Sequence, residues 1–226
     1  MFNIKKISTC LAEDNVLNDD SFVLKGLLSG GYIGMLIAAP GIGKSHLVMS
    51  IAMEAASGVP FVGLGYEGKK TKTLLYSSED PEIIVKDRFK KKLSGLSEHV
   101  VDAIDENMMI LSDELMQSLV LPINASHDEK REHKIFINKF IAAINKYDLL
   151  IIDTVSESMT ADLVSNDQRI KNELQSLARK AGVSILLVHH INKEEIKKSQ
   201  EITVASGASL TYIMRLTKFM ICLTKD

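Results

Sequence analysis

Ala38-Ala39-Pro40-Gly41-Ile42-Gly43-Lys44-Ser45 constrains this chain more than any other stretch. An apolar run, Tyr32 to Ile37, precedes it, and an amphipathic helical pattern, His46 to Ser57, follows. Strand, tight loop and helix in that order make a phosphate-binding P-loop. Small residues let backbone N–H groups close around phosphate oxygens. The helix that opens there adds free N–H groups and its dipole. Ala39, Pro40, Gly41, Ile42, Gly43, Lys44, Ser45 and His46 are therefore the expected nucleotide-binding residues. Lys44 reaches the β- and γ-phosphates in such a loop, and the Ser45 hydroxyl holds Mg²⁺. The motif's first glycine is replaced by Ala38. An alanine there means that this position does not require positive φ.

The chain has 226 residues, which suits one α/β domain. Its net charge of −2 gives no global attraction to nucleic acid, so any such contact must come from local patches. Cys10 and Cys222 lie at opposite ends with no metal-ligand neighbours at short spacing, and read as two buried thiols in a reducing compartment, with a disulfide between them the unsupported alternative. No apolar run reaches the roughly 18 residues of a membrane span, and no secretory signal opens the chain. A cytoplasmic location is the expectation, with no membrane partner.

Strands are expected at 32–38, 72–77, 107–111, 148–153, 183–189 and 216–223. Helices are expected from the P-loop to Ser57, from Pro81 to Leu93, over 129–145 and over 167–181. Residues 21–28 read as amphipathic, 58–68 as a loop with room for a short hairpin, and 107–111 as a buried strand. Alternating strands and helices imply a mostly parallel sheet covered on both faces. Ligands bind such sheets at the carboxyl ends of the strands.

Three strands end there in polar groups. Leu149 to Ile152 ends in Asp153, a candidate Mg²⁺ ligand of the Walker-B type. A carboxylate that caps the next turn is the plainer alternative. Leu74 to Ser78 ends in Glu79, the candidate that polarises the attacking water. On the residues alone, Glu79 equally well complements the N-terminus of the next helix, with Asp80 as its N-cap. Ser184 to Val188 ends in His189 and His190. Neither has a second ligand at zinc spacing; a histidine at this strand end can hydrogen-bond a γ-phosphate, and a satisfied structural histidine is the plainer alternative, expected for at least one of the two. Lys193, Lys197 and Lys198 follow on a loop-like segment, interleaved with Glu194, Glu195 and Glu201. Such lysines suit a nucleic-acid backbone, but no aromatic stacking platform accompanies them.

The ordered set of these motifs resembles the RecA-like hexameric replicative helicases of the plasmid RepA type, over about residues 24–215. The shared features include Gly26-Leu27-Leu28, the P-loop, Tyr76-Ser77-Ser78-Glu79-Asp80-Pro81, Leu150-Ile151-Ile152-Asp153, Val188-His189-His190, Ser206-Gly207-Ala208-Ser209 and Arg215. The resemblance implies a RecA-like α/β domain over residues 21–226, after an N-terminal segment of residues 1–20. It implies an Mg²⁺-dependent ATPase with Glu79 as catalytic base and His189 or His190 as γ-phosphate sensor. Arg215 would be an arginine finger reaching a neighbouring subunit's nucleotide in a homo-oligomeric ring, a hexamer. Residues 156–166 and 192–209 would face a channel that carries single-stranded DNA. The family continues for further strands beyond this arginine, so the chain reads as short at that end. The competing expectations are a non-motor ATPase switch acting on a replication protein partner and a nucleotide-binding module without useful hydrolysis. A small-molecule kinase fits less well, because no lid or substrate-binding arginine cluster is visible.

Overall fold

A computed structural model describes residues 22–111, 118–156, 158, 167–190 and 217–223. A small hairpin, β1 (Phe22–Leu24) and β2 (Leu28–Ser29), leads into β3 (Ile33–Ala38). The P-loop joins β3 to α1 (Lys44–Ser57). Then come β4 (Thr73–Ser77), α2 (Glu82–Leu93), α3 (Glu98–Asn107) and β5 (Met108–Leu111). The chain continues through α4 (His127–Ile144), β6 (Leu149–Asp153), α5 (Asp167–Ala181), β7 (Ser184–His190) and β8 (Met220–Leu223).

Six strands form one sheet in the order β5-β4-β6-β7-β3-β8, every adjacent pair parallel. This is the expected α/β P-loop fold. Side chains alternate between the two faces with period 2. Leu36, Leu75, Leu149, Ile151, Leu186 and Val188 pack against α1, α2 and α3. Met35, Ile37, Leu74, Leu150, Ile152, Ile185 and Leu187 pack against α4 and α5. Both faces are dry, so the strands read as continuous apolar runs.

Several expectations need correction. The 107–111 strand is not buried: β5 is an edge, and Met109 and Ile110 are 46% and 43% exposed. An all-apolar run cannot distinguish a central strand from an edge. The 21–28 segment is the β1–β2 hairpin, whereas 58–68 holds no strand pair. Its backbone is fastened by Glu54 of α1, a buried carboxylate accepting N–H bonds from Phe61 (2.7 Å), Val62, Gly63 (2.8 Å) and Gly65. Burial alone would raise the Glu54 pKa, but these four donors hold it below the usual carboxylate range. Helix α3 had no counterpart in the sequence reading. Cys222 is exposed, contrary to a buried thiol. No helix among the described residues is long and apolar enough to cross a membrane.

Candidate functional site

The strand order places the ends of β4, β6, β7 and β3 side by side. Ser77 is opposite Asp153, and Ala38 is opposite His190. Side-chain parity then sorts the polar ends. Asp153 lies on the same face as Leu149 and Ile151, and His190 on the same face as Leu186 and Val188; that face carries α1. His189 points to the opposite face.

Ala38 is the last residue of β3, so the motif's missing glycine falls within regular strand. The left-handed conformations are at Gly41 (φ 79°) and Gly43 (φ 92°), where the loop needs them. Gly43 caps α1 with no side-chain hydrogen bond, leaving the first N–H groups directed at the loop. A recess of about 300 Å³ lies here, lined by Pro40, Gly41, Gly43, Lys44, Ser45, His46, Glu79, Asp80, Arg88 and His190. Of the expected binding residues, Ala39 and Ile42 do not line it; Ile42 packs against the core beneath.

Lys44, only 5% exposed, meets His190 Nδ1 at 2.7 Å, and His190 Nε2 meets Glu79 Oε2 at 2.9 Å. An ammonium has only protons to give, so Nδ1 is the acceptor and Nε2–H donates to the carboxylate. The His190 ring thereby links the loop lysine to the strand-end acid. Burial lowers the Lys44 pKa, and the nearby Asp153 and Glu79 carboxylates oppose that shift.

Asp153 is buried and accepts a hydrogen bond from the Ser45 side chain, while its Oδ1 has no partner among the described residues. Burial raises its pKa, and the Ser45 bond and Lys44 work against the rise. An orphan carboxylate oxygen beside a hydroxyl is a donor set for a hard divalent cation that keeps most of its water. Ser78 fastens the neighbouring strand ends: its N–H donates to Asp153 O (2.8 Å), and its hydroxyl pairs with Thr154 O and N–H (both 3.0 Å). The Asp153–Thr154 peptide is cis. This zipper sets where Glu79 emerges.

Asp80 does not cap α2; Pro81 holds that position without a side-chain bond. Asp80 instead receives two hydrogen bonds from Arg88, one from Nη1 and one from Nη2 (3.2 Å). Arg88 lies on α2 and lines the recess, and the sequence reading missed it. Its one signal was an arginine in an otherwise lysine-rich helix just after the acidic turn. His46 has its pKa lowered by burial and then by Lys92, Arg88 and Lys91, which marks this rim as cationic. His189 is buried with Nδ1 unpartnered among the described residues, and its pKa is pushed down to about 4 by burial and then by His190 and Lys44. Arg215 and the segments 159–166 and 192–209 lie outside the described residues.

A parallel sheet carrying a glycine loop, a lysine, a hydroxyl and two strand-end acids at its carboxyl edge has the RecA-like α/β P-loop fold. The chain belongs to the AAA domain family, whose model matches residues 14–195. Among solved structures it is similar to a KaiC-like protein from the hyperthermophilic archaeon Pyrococcus horikoshii OT3. That similarity has 12% identity and a TM-score of 0.51, covering 92% of this chain and 78% of that one. It is also similar to the RadB recombinase, with 14% identity and a TM-score of 0.42, covering 83% and 73%. No curated protein matches the chain.

Proposed function

We propose that the chain is an Mg²⁺-dependent ATPase that works as a ring of identical subunits, a hexamer, moving on single-stranded DNA. The observation that carries the hydrolytic part is the hydrogen-bonded line Lys44–His190–Glu79 at the mouth of the P-loop. It links the P-loop lysine to the acid after β4 through one imidazole, which supports Lys44 as phosphate binder and Glu79 as base. Ser45 and Asp153 would hold Mg²⁺, which when bound neutralises charge on the phosphate oxygens. Lys44, leaving His190 for the β- and γ-phosphates, frees Nδ1, while the Nε2 side of the ring stays on Glu79. Glu79, 45% exposed at its side chain, then accepts a proton from the water whose oxygen attacks the γ-phosphorus. The bond from that phosphorus to the ADP oxygen breaks, and the electron pair leaves with ADP. Arg88 pairs with Asp80 in the lining of the recess and offsets the charge of that carboxylate beside the phosphates. The arginine-finger role of Arg215, the ring and the DNA channel are supported by the sequence resemblance to RepA-type helicases.

Phosphate release with and without single-stranded DNA tests this reading, together with oligomer mass in the presence of an ATP analogue. Glu79→Gln is expected to keep ATP binding and lower turnover by about 100-fold or more, and DNA is expected to stimulate the wild type. Unchanged turnover in Glu79→Gln would remove the hydrolytic assignment. A DNA-indifferent, monomeric ATPase that responds to a replication protein would replace the motor with a switch.

A further inference from the structure

At the opposite end of the sheet, a recess of about 160 Å³ is lined by Gly31, Tyr32, Lys171, Gln175, Arg179 and Lys218, with Ile33 at its side. The fold brings these together from three places. Tyr32 precedes β3 and accepts the Ile185 N–H at 2.9 Å; Ile33 accepts the Lys218 N–H at 2.8 Å. Helix α5 packs so closely on the turn that a Cβ on Gly31 would sit 3.8 Å from Arg179 Cα. Lys171, Gln175 and Arg179, spaced four apart on α5, form one stripe facing the recess.

Three cations therefore converge on one small volume, in a chain of net charge −2. None of the three pairs with a carboxylate among the described residues. Elsewhere Lys86, Arg88 and Lys91 each have an acidic partner. Lys218 lies over the Tyr32 ring at 4.9 Å, which holds its ammonium at the rim. A single carboxylate is satisfied by one arginine fork, whereas a phosphate spreads its charge over several oxygens and takes several cations. β3 has six residues, so the recess is roughly 20 Å from the P-loop and is no part of the nucleotide site.

We propose that this recess is a second anion site that takes a phosphate group, from a nucleic-acid backbone or from a small phosphorylated molecule. It does not depend on the chain's hydrolysing ATP. The probes are inorganic pyrophosphate and a single-stranded oligonucleotide, measured by calorimetry without Mg²⁺ on Lys44→Ala, so that the P-loop does not compete. Saturable binding is expected. The triple substitution Lys171→Ala, Arg179→Ala, Lys218→Ala is expected to weaken it about tenfold or more. Lys171→Arg with Lys218→Arg should retain it, and a thermal melt checks that each variant folds. Binding of the oligonucleotide alone assigns the phosphate to a nucleic-acid backbone, and binding of pyrophosphate alone to a small molecule. Failure of both probes, unchanged binding in the triple variant, or equal affinity for polyglutamate overturns the proposal.

Discussion

His189 gives the chain a pH-dependent stability that can be worked out in advance. Its pKa is about 4 in the fold, against 6.5 for an ordinary histidine. The unfolded chain therefore binds this proton more readily than the folded one. The stabilisation from keeping His189 neutral is complete above pH 6.5 and is lost as the pH falls through that value toward 4. Linkage puts the loss at about 2 kcal/mol between pH 7.5 and pH 5, and at about 3 kcal/mol once both states are protonated. His189→Gln keeps a polar side chain of similar reach and cannot titrate. Urea unfolding of both proteins at about pH 7.5, 6.5, 5.5 and 5.0 isolates the effect, because other groups titrate alike in each. The wild type should lose about 2 kcal/mol relative to the variant across that range. Parallel curves would show that His189 is not held neutral by its surroundings, and the burial argument would fail.

Glu54→Ala should leave the N–H groups of Phe61, Val62, Gly63 and Gly65 without their acceptor. A loss of about 3 kcal/mol or more is expected in chemical denaturation, with faster amide exchange confined to residues 61–65. Arg88→Ala frees Asp80 beside the nucleotide recess, placing an unpaired carboxylate near the phosphates. About a tenfold weaker ATP affinity is expected by calorimetry, and Asp80→Asn should restore part of it in the double variant.

The P-loop was legible because its glycines do one thing, and Gly41 and Gly43 carry the positive φ that the motif demands. The central strands were legible because a sheet dry on both faces leaves continuous apolar runs. Position within the sheet was not legible: Met108 to Leu111 reads like Leu149 to Ile152, yet one is an edge and the other central. His189 and His190 could not be separated until the face carrying α1 was known, since parity alone gives two equivalent answers. Helix α3 was missed because it is short, Glu98–Asn107, and runs straight into β5 at Met108 with no breaker between them. Glu54 did leave a trace, a lone acid inside the apolar stretch Ile51 to Ala56. Its partners come from a loop whose course the sequence did not reveal.

The strand order also bears on how the chain is made. β3, which carries the phosphate loop, has β7 on one side and β8 on the other. Both neighbours come after residue 183, whereas β4 finds its partners in β5 and β6. During synthesis the acid-bearing half of the sheet can therefore pair first, while the loop strand waits with both edges open. Until β7 emerges, Lys44 has no His190 to meet. The Lys44–His190–Glu79 line thus forms only once the chain beyond residue 183 is made, and a nascent chain lacking that part carries the whole P-loop sequence without it.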